Sequence, residues 1–353
     1  MDCMKGEIVK KSRWFCLRRI GGAFAVAALL TGLAAIGGVD AQDATPIPYE
    51  PGTDLGSLSG SVVSDGSSTV GPLTEAVAEE FGLTVADAGG DVQVEVSISG
   101  TGGGFERFCN GETDLQNASR AIGEDEIALC AENGVDYFEF EVAYDGLAVV
   151  VNPENDFVEC LTIEQLNMMW KPEGAATMWN EIDPSFPEEP IVLYGPGTDS
   201  GTFDFFTDVV NGEEGVSTTD YSPSEDDNQL VLGVAGDANA LGYFGLAYYE
   251  NNADQLKLVA IDGGNGCVAP SAETVADGTY APLSRPLYVY LNAESLARPE
   301  VQEFARFYLA NASWLAADVG YVSSPIDTYL ADQTQLEAAI AGEATPDSQG
   351  ESS

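Results

Sequence analysis

The sequence predicts an α/β fold, because strand-like and helix-like patterns alternate along the chain and three strand-to-helix passages run through turns of small residues. The turns are Ser64-Asp65-Gly66-Ser67-Ser68-Thr69-Val70-Gly71, Ser99-Gly100-Thr101-Gly102-Gly103-Gly104-Phe105, and Gly195-Pro196-Gly197-Thr198-Asp199-Ser200-Gly201-Thr202-Phe203. A helix N-terminus preceded by Gly, Ser and Thr presents unpaired backbone N–H groups, the favourable end of the helix dipole and extra hydroxyl donors. Three such starts in one chain predict an oxyanion held from several sides.

The elements follow in order. Residues 60–64 read as a short strand; Pro72 then takes a first helical position, and Leu73, Ala76, Val77 and Phe81 recur at helical spacing. Residues 91–99 alternate Val92, Val94, Val96 and Ile98, a strand signature, and after the glycine turn a short helix is expected over 105–110. Residues 138–151 are long, apolar and β-prone, broken by Asp145-Gly146, and could run from one lobe into another. Residues 161–170 read as an amphipathic helix and 191–194 as a strand, after which Phe203, Phe206, Val209 and Val210 keep helical spacing. Strands are expected at 256–261 and 286–291, and a helix over 301–314 with Phe304, Phe307 and Tyr308 on one face. In such an alternation, ligands bind at the carboxyl ends of strands.

The ends differ from this pattern. Lys5, Lys10, Lys11, Arg13, Arg18 and Arg19 precede an apolar stretch over 20–36, and Val39-Asp40-Ala41 follows it. That order reads as a secretory signal peptide over residues 1–41, with an uncleaved membrane anchor as the competing reading. The paired arginines hint at twin-arginine export, but the residues after them match poorly. Residues 42–58, with Pro46, Pro48 and Pro51, read as a solvated linker, and 342–353 as a disordered tail.

Of the 13 Lys and Arg residues, six lie in the leader, leaving Arg107, Arg120, Lys171, Lys257, Arg285, Arg298 and Arg306 against 55 acids, a net charge of about −48. Such a balance argues against nucleic acid or an anionic membrane as partner. It also makes an open anion patch untenable, since surrounding carboxylates would cancel exposed attraction; a closed site with short-range donors is predicted instead. The four cysteines after the leader suggest two disulfides in an exported chain; three pairings are open, of which Cys109–Cys130 with Cys160–Cys267 is favoured.

Each turn by itself is a weak signal, because a plain helix cap uses the same residues. Thr69 can cap or face a ligand, the Val70 N–H can donate outward, residues 101–104 permit close backbone approach, and Ser200-Gly201-Thr202 can form a nest. Arg120, in Asn117-Ala118-Ser119-Arg120, is a candidate for bidentate oxyanion contact, against a surface pairing with Glu124 or Asp125. Arg107 reads as structural. Asp65 and Asp199 flank the turns and could orient Arg120 or accept a proton from the anion, or be ordinary turn carboxylates. Catalysis is poorly supported: the chain has no histidine, so the usual base of a serine triad is absent, no Ser-x-x-Lys or Walker pattern occurs, and no zinc spacing exists.

Taken together, Gly-Ser-Ser-Thr-Val at 66–70, Gly-Thr-Gly-Gly-Gly-Phe at 100–105, Thr-Asp-Leu-Gln-Asn-Ala-Ser-Arg at 113–120, Gly-Thr-Asp-Ser-Gly-Thr-Phe at 197–203 and Asn-Ala-Leu-Gly-Tyr-Phe-Gly at 239–245 resemble the phosphate-binding proteins of bacterial ABC transporters. The likeness covers most of residues 59–340. It implies a two-lobed periplasmic-binding-protein fold of type II: lobe 1 from 59–143 plus 281–341, lobe 2 from 144–280, two hinge crossovers, and a cleft that closes on phosphate. By motif, the phosphate ligands would be Ser68, Thr69, Val70, Thr101, Gly102, Arg120, Ser200, Gly201 and Thr202. It also implies a monomer, periplasmic or extracellular, that needs no cofactor or metal, has no catalytic residues and delivers inorganic phosphate to a membrane permease.

Two departures stand out. The better-known branch has an aspartate at the place of Arg120 and an arginine at the place of Pro196. The shift supports Arg120 as the ligand arginine but removes the carboxylate that favours hydrogen phosphate over sulfate; Asp65 or Asp199 is nominated in its stead. The alternatives are a receptor for sulfate or arsenate, a secreted phosphoester hydrolase using Ser200, Thr202 or an acid-bound metal, and a signalling or adhesion module.

Overall fold

The computed structural model describes residues 47–198 and 200–347. The expected signal peptide or anchor, Asp199 and the end of the tail fall outside the described residues. The chain begins with three strand–helix units: β1 (Ser59–Gly66) and α1 (Gly71–Ala88), β2 (Asp91–Val96) and α2 (Gly100–Cys109), β3 (Leu115–Ala118) and α3 (Glu124–Asn133). β1 pairs in parallel with both β2 and β3. α1 carries Pro72 in its first turn, where a missing N–H costs nothing, and buries Leu73, Val77, Phe81 and Val85.

β4 (Tyr137–Val151) leads away from these units. Beyond it lie β5 (Cys160–Thr162), α4 (Ile163–Trp170), α5 (Trp179–Ile182), β6 (Val192–Pro196), α6 (Gly201–Asn211), β7 (Ser222–Ser224), α7 (Asp227–Gly236), β8 (Ala240–Gly245) and α8 (Leu246–Glu250). Short strands β9 (Lys257–Leu258), β10 (Ala260–Asp262) and β11 (Cys267–Val268) and helix α9 (Ala272–Ala276) follow, and the chain returns through β12 (Ser284–Asn292) to α10 (Pro299–Asp318) and α11 (Ile326–Ile340).

The main sheet has the order β2-β1-β3-β12-β4-β8-β6-β7, with β9 also on β4. β4 is its spine, and it is continuous. The expected break at Asp145-Gly146 does not occur, because both residues stay paired with β12, opposite Arg285 and Ser284. From Leu147 onward β4 pairs with β8 instead, antiparallel as far as Val151. One 15-residue strand therefore serves two cores. Val62, Phe81, Phe140, Phe304 and Tyr308 belong to one cluster, Val149, Trp170, Trp179, Phe206 and Tyr243 to another. Burying each such side chain contributes about 1.5–3 kcal/mol, so both clusters can hold their own elements. A smaller cluster packs Phe105, Phe108, Tyr137 and Tyr290 under α2.

Several expectations are corrected. Helix α2 starts at Gly100 rather than near 105, so Thr101 to Gly104 are its first turn and not a loop before it. Gly104 explains this: a Cβ there would lie 2.5 Å from the Gly66 Cα, so only glycine lets the helix start this close to β1. The stretch 161–170 divides into β5 and α4, with the Thr162 hydroxyl capping the Gln165 N–H. The stretch 256–261 divides into β9 and β10. Residues 47–58 are not a free linker, since Ile47 and Leu58 are buried and the Tyr49 hydroxyl and Gly52 N–H bond Glu303 of α10. Within the expected tail, the Asp347 carboxylate accepts from the Glu139 N–H.

Two disulfides are present. Cys109–Cys130 joins α2 to α3, and Cys160–Cys267 joins β5 to β11 at the two edges of a small sheet centred on β10. Among the described residues no helix is long and apolar enough to cross a membrane.

Candidate functional site

All three predicted turns lie at the carboxyl ends of strands: α1 follows β1, α2 follows β2 and α6 follows β6. The first turn is capped from within. Ser67 Oγ accepts from the N–H groups of Thr69 (3.1 Å) and Val70 (3.4 Å), so the Val70 N–H expected to point outward is turned inward here. The cap is Ser67, which lacked a role in the sequence reading. Ser68, in the expected ligand set, donates to Asp204 Oδ2 at 3.2 Å, reaching the first turn of α6.

The first and third turns meet, although they stem from different core clusters. A Cβ on Gly201 would lie 2.6 Å from Thr69 Oγ1 and 2.8 Å from the Thr69 N, so only glycine admits this approach. Ser200 caps α6 by accepting from the Thr202 N–H at 3.2 Å. That spends the Ser200 oxygen as an acceptor and leaves its proton free to donate.

The second turn packs on the first at Gly66, through Gly104 and a Ser99 N–H bond to the Gly66 carbonyl, but its side chains bond elsewhere. Thr101 Oγ1 lies 3.1 Å from Ser119 Oγ and accepts from the Ser119 N–H, while Gln116 Nε2 donates to the Thr101 carbonyl at 2.9 Å. Arg120 stands beside it, its Nη2 4.0 Å from where a Gly102 Cβ would sit. Its guanidinium makes a two-pronged pair with Glu126, both contacts 2.8 Å, and it lies over the Phe105 ring. The partner is Glu126 rather than Glu124 or Asp125, because Glu126 also accepts from the Gly123 N–H at the start of α3 and is thereby fixed in place. The paired carboxylate holds Arg120 more firmly protonated than usual, and the arginine side chain remains 50% exposed.

Asp65 does not orient Arg120. One of its oxygens accepts from the Gly66 N–H and the other pairs with Arg107, so this fully buried carboxylate ties the end of β1 to α2. Asp199 lies outside the described residues.

The sequence reading missed Arg285 and Asp145, which face each other across β12 and β4. Arg285 Nη2 donates to Thr69 Oγ1 at 2.6 Å, to the Gly201 carbonyl at 3.3 Å and to Asp145 Oδ2 at 3.2 Å, while the guanidinium stacks 3.9 Å from the centre of the Phe205 ring. Asp145 is completely buried; burial pushes its pKa up and the Arg285 charge pulls it back. A partial signal existed in the sequence: Asp145 stands directly before the apolar run 147–151, where an unpaired charge is costly, but Arg285 at the start of β12 carries no comparable mark. Tyr321 adds a hydroxyl that donates to the Thr69 carbonyl at 2.5 Å.

Chemically, the junction offers hydroxyl, amide and guanidinium donors suited to an oxyanion. Among the described residues no group of three or more His, Cys, Asp or Glu side chains is placed to hold a metal ion.

Comparison with known proteins agrees in kind. A family model described as the PBP superfamily domain matches residues 51–312. The protein SphX of Synechocystis sp. is 48% identical over 274 residues, spanning 76% of this chain and 80% of its own length. The phosphate-binding protein PstS of Staphylococcus saprophyticus is 39% identical over 296 residues, 83% of this chain and 90% of its own. Among solved structures, that of a possible phosphate binding protein from Planctomyces limnophilus superposes with a TM-score of 0.76 at 45% identity, covering 80% of this chain and 100% of that one. The mixed sheet and its two clusters match the two-lobed periplasmic-binding-protein architecture, and the chain belongs to the PBP superfamily, alongside phosphate-binding PstS.

Proposed function

We propose that this protein captures inorganic phosphate outside the cytoplasm and hands it to the permease of an ABC transporter, without chemically altering it. The observation that carries this reading is the contact between the Thr69 turn and Gly201: two helix starts from different core clusters converge, as an anion clamp requires. Relatedness to a phosphate-binding PstS supports the choice of anion. The chain's lack of histidine, together with relatives that bind rather than transform, favours a receptor over a hydrolase.

In this reading residues 59–143 plus 281–341 form one lobe and 144–280 the other, with β4 and β12 as the crossovers. Phosphate is held by Ser68 and Thr69 from the first turn, whose Val70 amide is committed to Ser67, by Thr101 and Gly102 from the second, and by Ser200, Gly201 and Thr202 from the third. Arg120 exchanges Glu126 for the anion. Asp65 is committed to Arg107, which leaves Asp199 as the sequence-nominated acceptor for a phosphate proton. Residues 1–41 direct export, and the receptor acts as a monomer.

The test is a calorimetric titration of residues 42–353 with phosphate, then with sulfate and arsenate in competition. One-to-one phosphate binding that sulfate fails to displace is expected. Absence of heat and of competition with phosphate would reject the reading, as would release of product from a chromogenic phosphoester.

A further inference from the structure

The cation that joins the two converging turns is not the one the motifs single out. Among the described residues Arg285 is the one whose guanidinium bonds both the first and the third turn, through Thr69 Oγ1 and the Gly201 carbonyl. It is rooted in β12, opposite Asp145 of β4, so it springs from the pair of strands that link the two core clusters. Asp145 holds it with one oxygen, while the other, Oδ1, is buried with no hydrogen-bond partner among the described residues. A half-satisfied buried carboxylate costs stability, and what Asp145 gives in return is a fixed place for its partner.

The sense of these bonds matters. Arginine can only donate, so at Thr69 it must take a lone pair of the hydroxyl oxygen. Arg285 thus occupies one acceptor position of the Thr69 oxygen and turns the hydroxyl proton away from the guanidinium, towards an acceptor elsewhere. That proton's protein acceptor is the Gly201 carbonyl at 3.5 Å, the limit of a hydrogen bond, so a closer anion oxygen would outcompete it.

We infer that Arg285, held by Asp145, is the positioning residue of the anion site: it makes the Thr69 hydroxyl a donor and latches the first turn to the third when the anion is bound. This inference rests on the phosphate reading and adds to it a residue outside every motif that suggested that reading. Arg120, half-exposed and engaged by Glu126, cannot perform this role, since its hydrogen bonds lie within its own stretch of chain, to Ala121 and Glu126.

A double-mutant cycle tests it, with phosphate as the probe. Thr69→Val and Arg285→Gln are made singly and together, and affinity is measured by calorimetry while compaction on phosphate addition is followed by small-angle scattering. Thr69→Val is expected to weaken phosphate about tenfold in the parent, a typical loss for a hydrogen bond to a charged group, but by less than about threefold once Arg285 is gone, the signature of coupled residues. Arg285→Gln should also abolish the compaction. Should that variant not fold, Arg285→Lys replaces it, keeping a charge for Asp145 without the planar guanidinium that lies over Phe205 and bonds Asp145 through both Nε and Nη2. Equal losses from Thr69→Val in both backgrounds, or undiminished compaction, would overturn the inference while leaving phosphate binding intact. A parent protein that binds no phosphate would overturn both.

Discussion

The first and third turns meet over a part-buried arginine, whereas the second turn carries a half-exposed one. Arg285 is 19% exposed and its carboxylate partner 1%; removing the arginine leaves an uncompensated buried carboxylate, a change that is strongly destabilising in general. Arg120 and Glu126 form a pair of the kind solvent screens, so exchanging the carboxylate for another anion costs little. The comparison separates two tasks. On the proposed reading, the part-buried cation sets geometry at the junction, and the half-exposed one beside the second turn exchanges its carboxylate for ligand.

The largest expected effect breaks the junction itself. Gly201→Ala places a methyl group against Thr69 backbone, and overpacking of 1–3 kcal/mol should lower phosphate affinity by about ten- to a hundredfold. Gly102→Ala is its counterpart at the second turn. There the nearest atom is 4.0 Å away, so stability should stay within about 0.5 kcal/mol, the range of an ordinary surface change. Calorimetry on both variants decides whether the two turns differ as described; equal losses would erase the distinction.

Next in size is the exposed cation. Arg120→Ala should weaken phosphate about tenfold with an unchanged melting temperature, and Glu126→Gln should do the reverse, strengthening binding severalfold by removing the competing carboxylate. Both effects should shrink at high salt because the arginine is half-exposed. A salt-independent loss would place Arg120 with Arg285 in the buried class.

The disulfide beneath the second turn gives a smaller effect on binding. Replacing Cys109 and Cys130 by Ser frees α2 from α3, which carries Glu126, and should cost about 3 kcal/mol of stability while changing phosphate affinity only slightly. Denaturant unfolding and calorimetry on the same sample separate the two.

The smallest effect on affinity, expected to be nil, comes from a buried acid remote from both turns. Burial first, then Glu141 and Glu139, raise Asp332 to about 7, and Tyr329 faces it as well. Its folded pKa therefore lies above the unfolded value of about 4, so the native state binds the extra proton and stability falls as pH rises through that window. The slope is at most about 1.4 kcal/mol per pH unit. Asp332→Asn should flatten it, raising the melting temperature at pH 8 and hardly at pH 4. An unchanged pH profile would remove Asp332 as its source.

Much of the candidate site was legible before the fold. Thr69, Ser200 and Gly201 stand out because capping residues and glycines advertise helix starts within a few positions of one another. The start of α2 was misplaced because the close approach of Gly104 to Gly66 is a contact between distant segments, invisible to local propensity. The break expected at Asp145-Gly146 was misplaced for a related reason: a charge in an apolar run looks like an interruption until its partner on another strand is known.

By itself, then, the sequence determined the alternation of strands and helices, three anion-ready helix starts, the scarcity of cations and the absence of histidine. These depend on neighbours along the chain, where period and capping act. Only the tertiary structure decided which turns meet, and that Arg285 rather than Arg120 joins them. Arg285 and Asp145 are 140 positions apart, and the attraction between them depends on distance in space and local dielectric, which strand register sets and spacing along the chain does not.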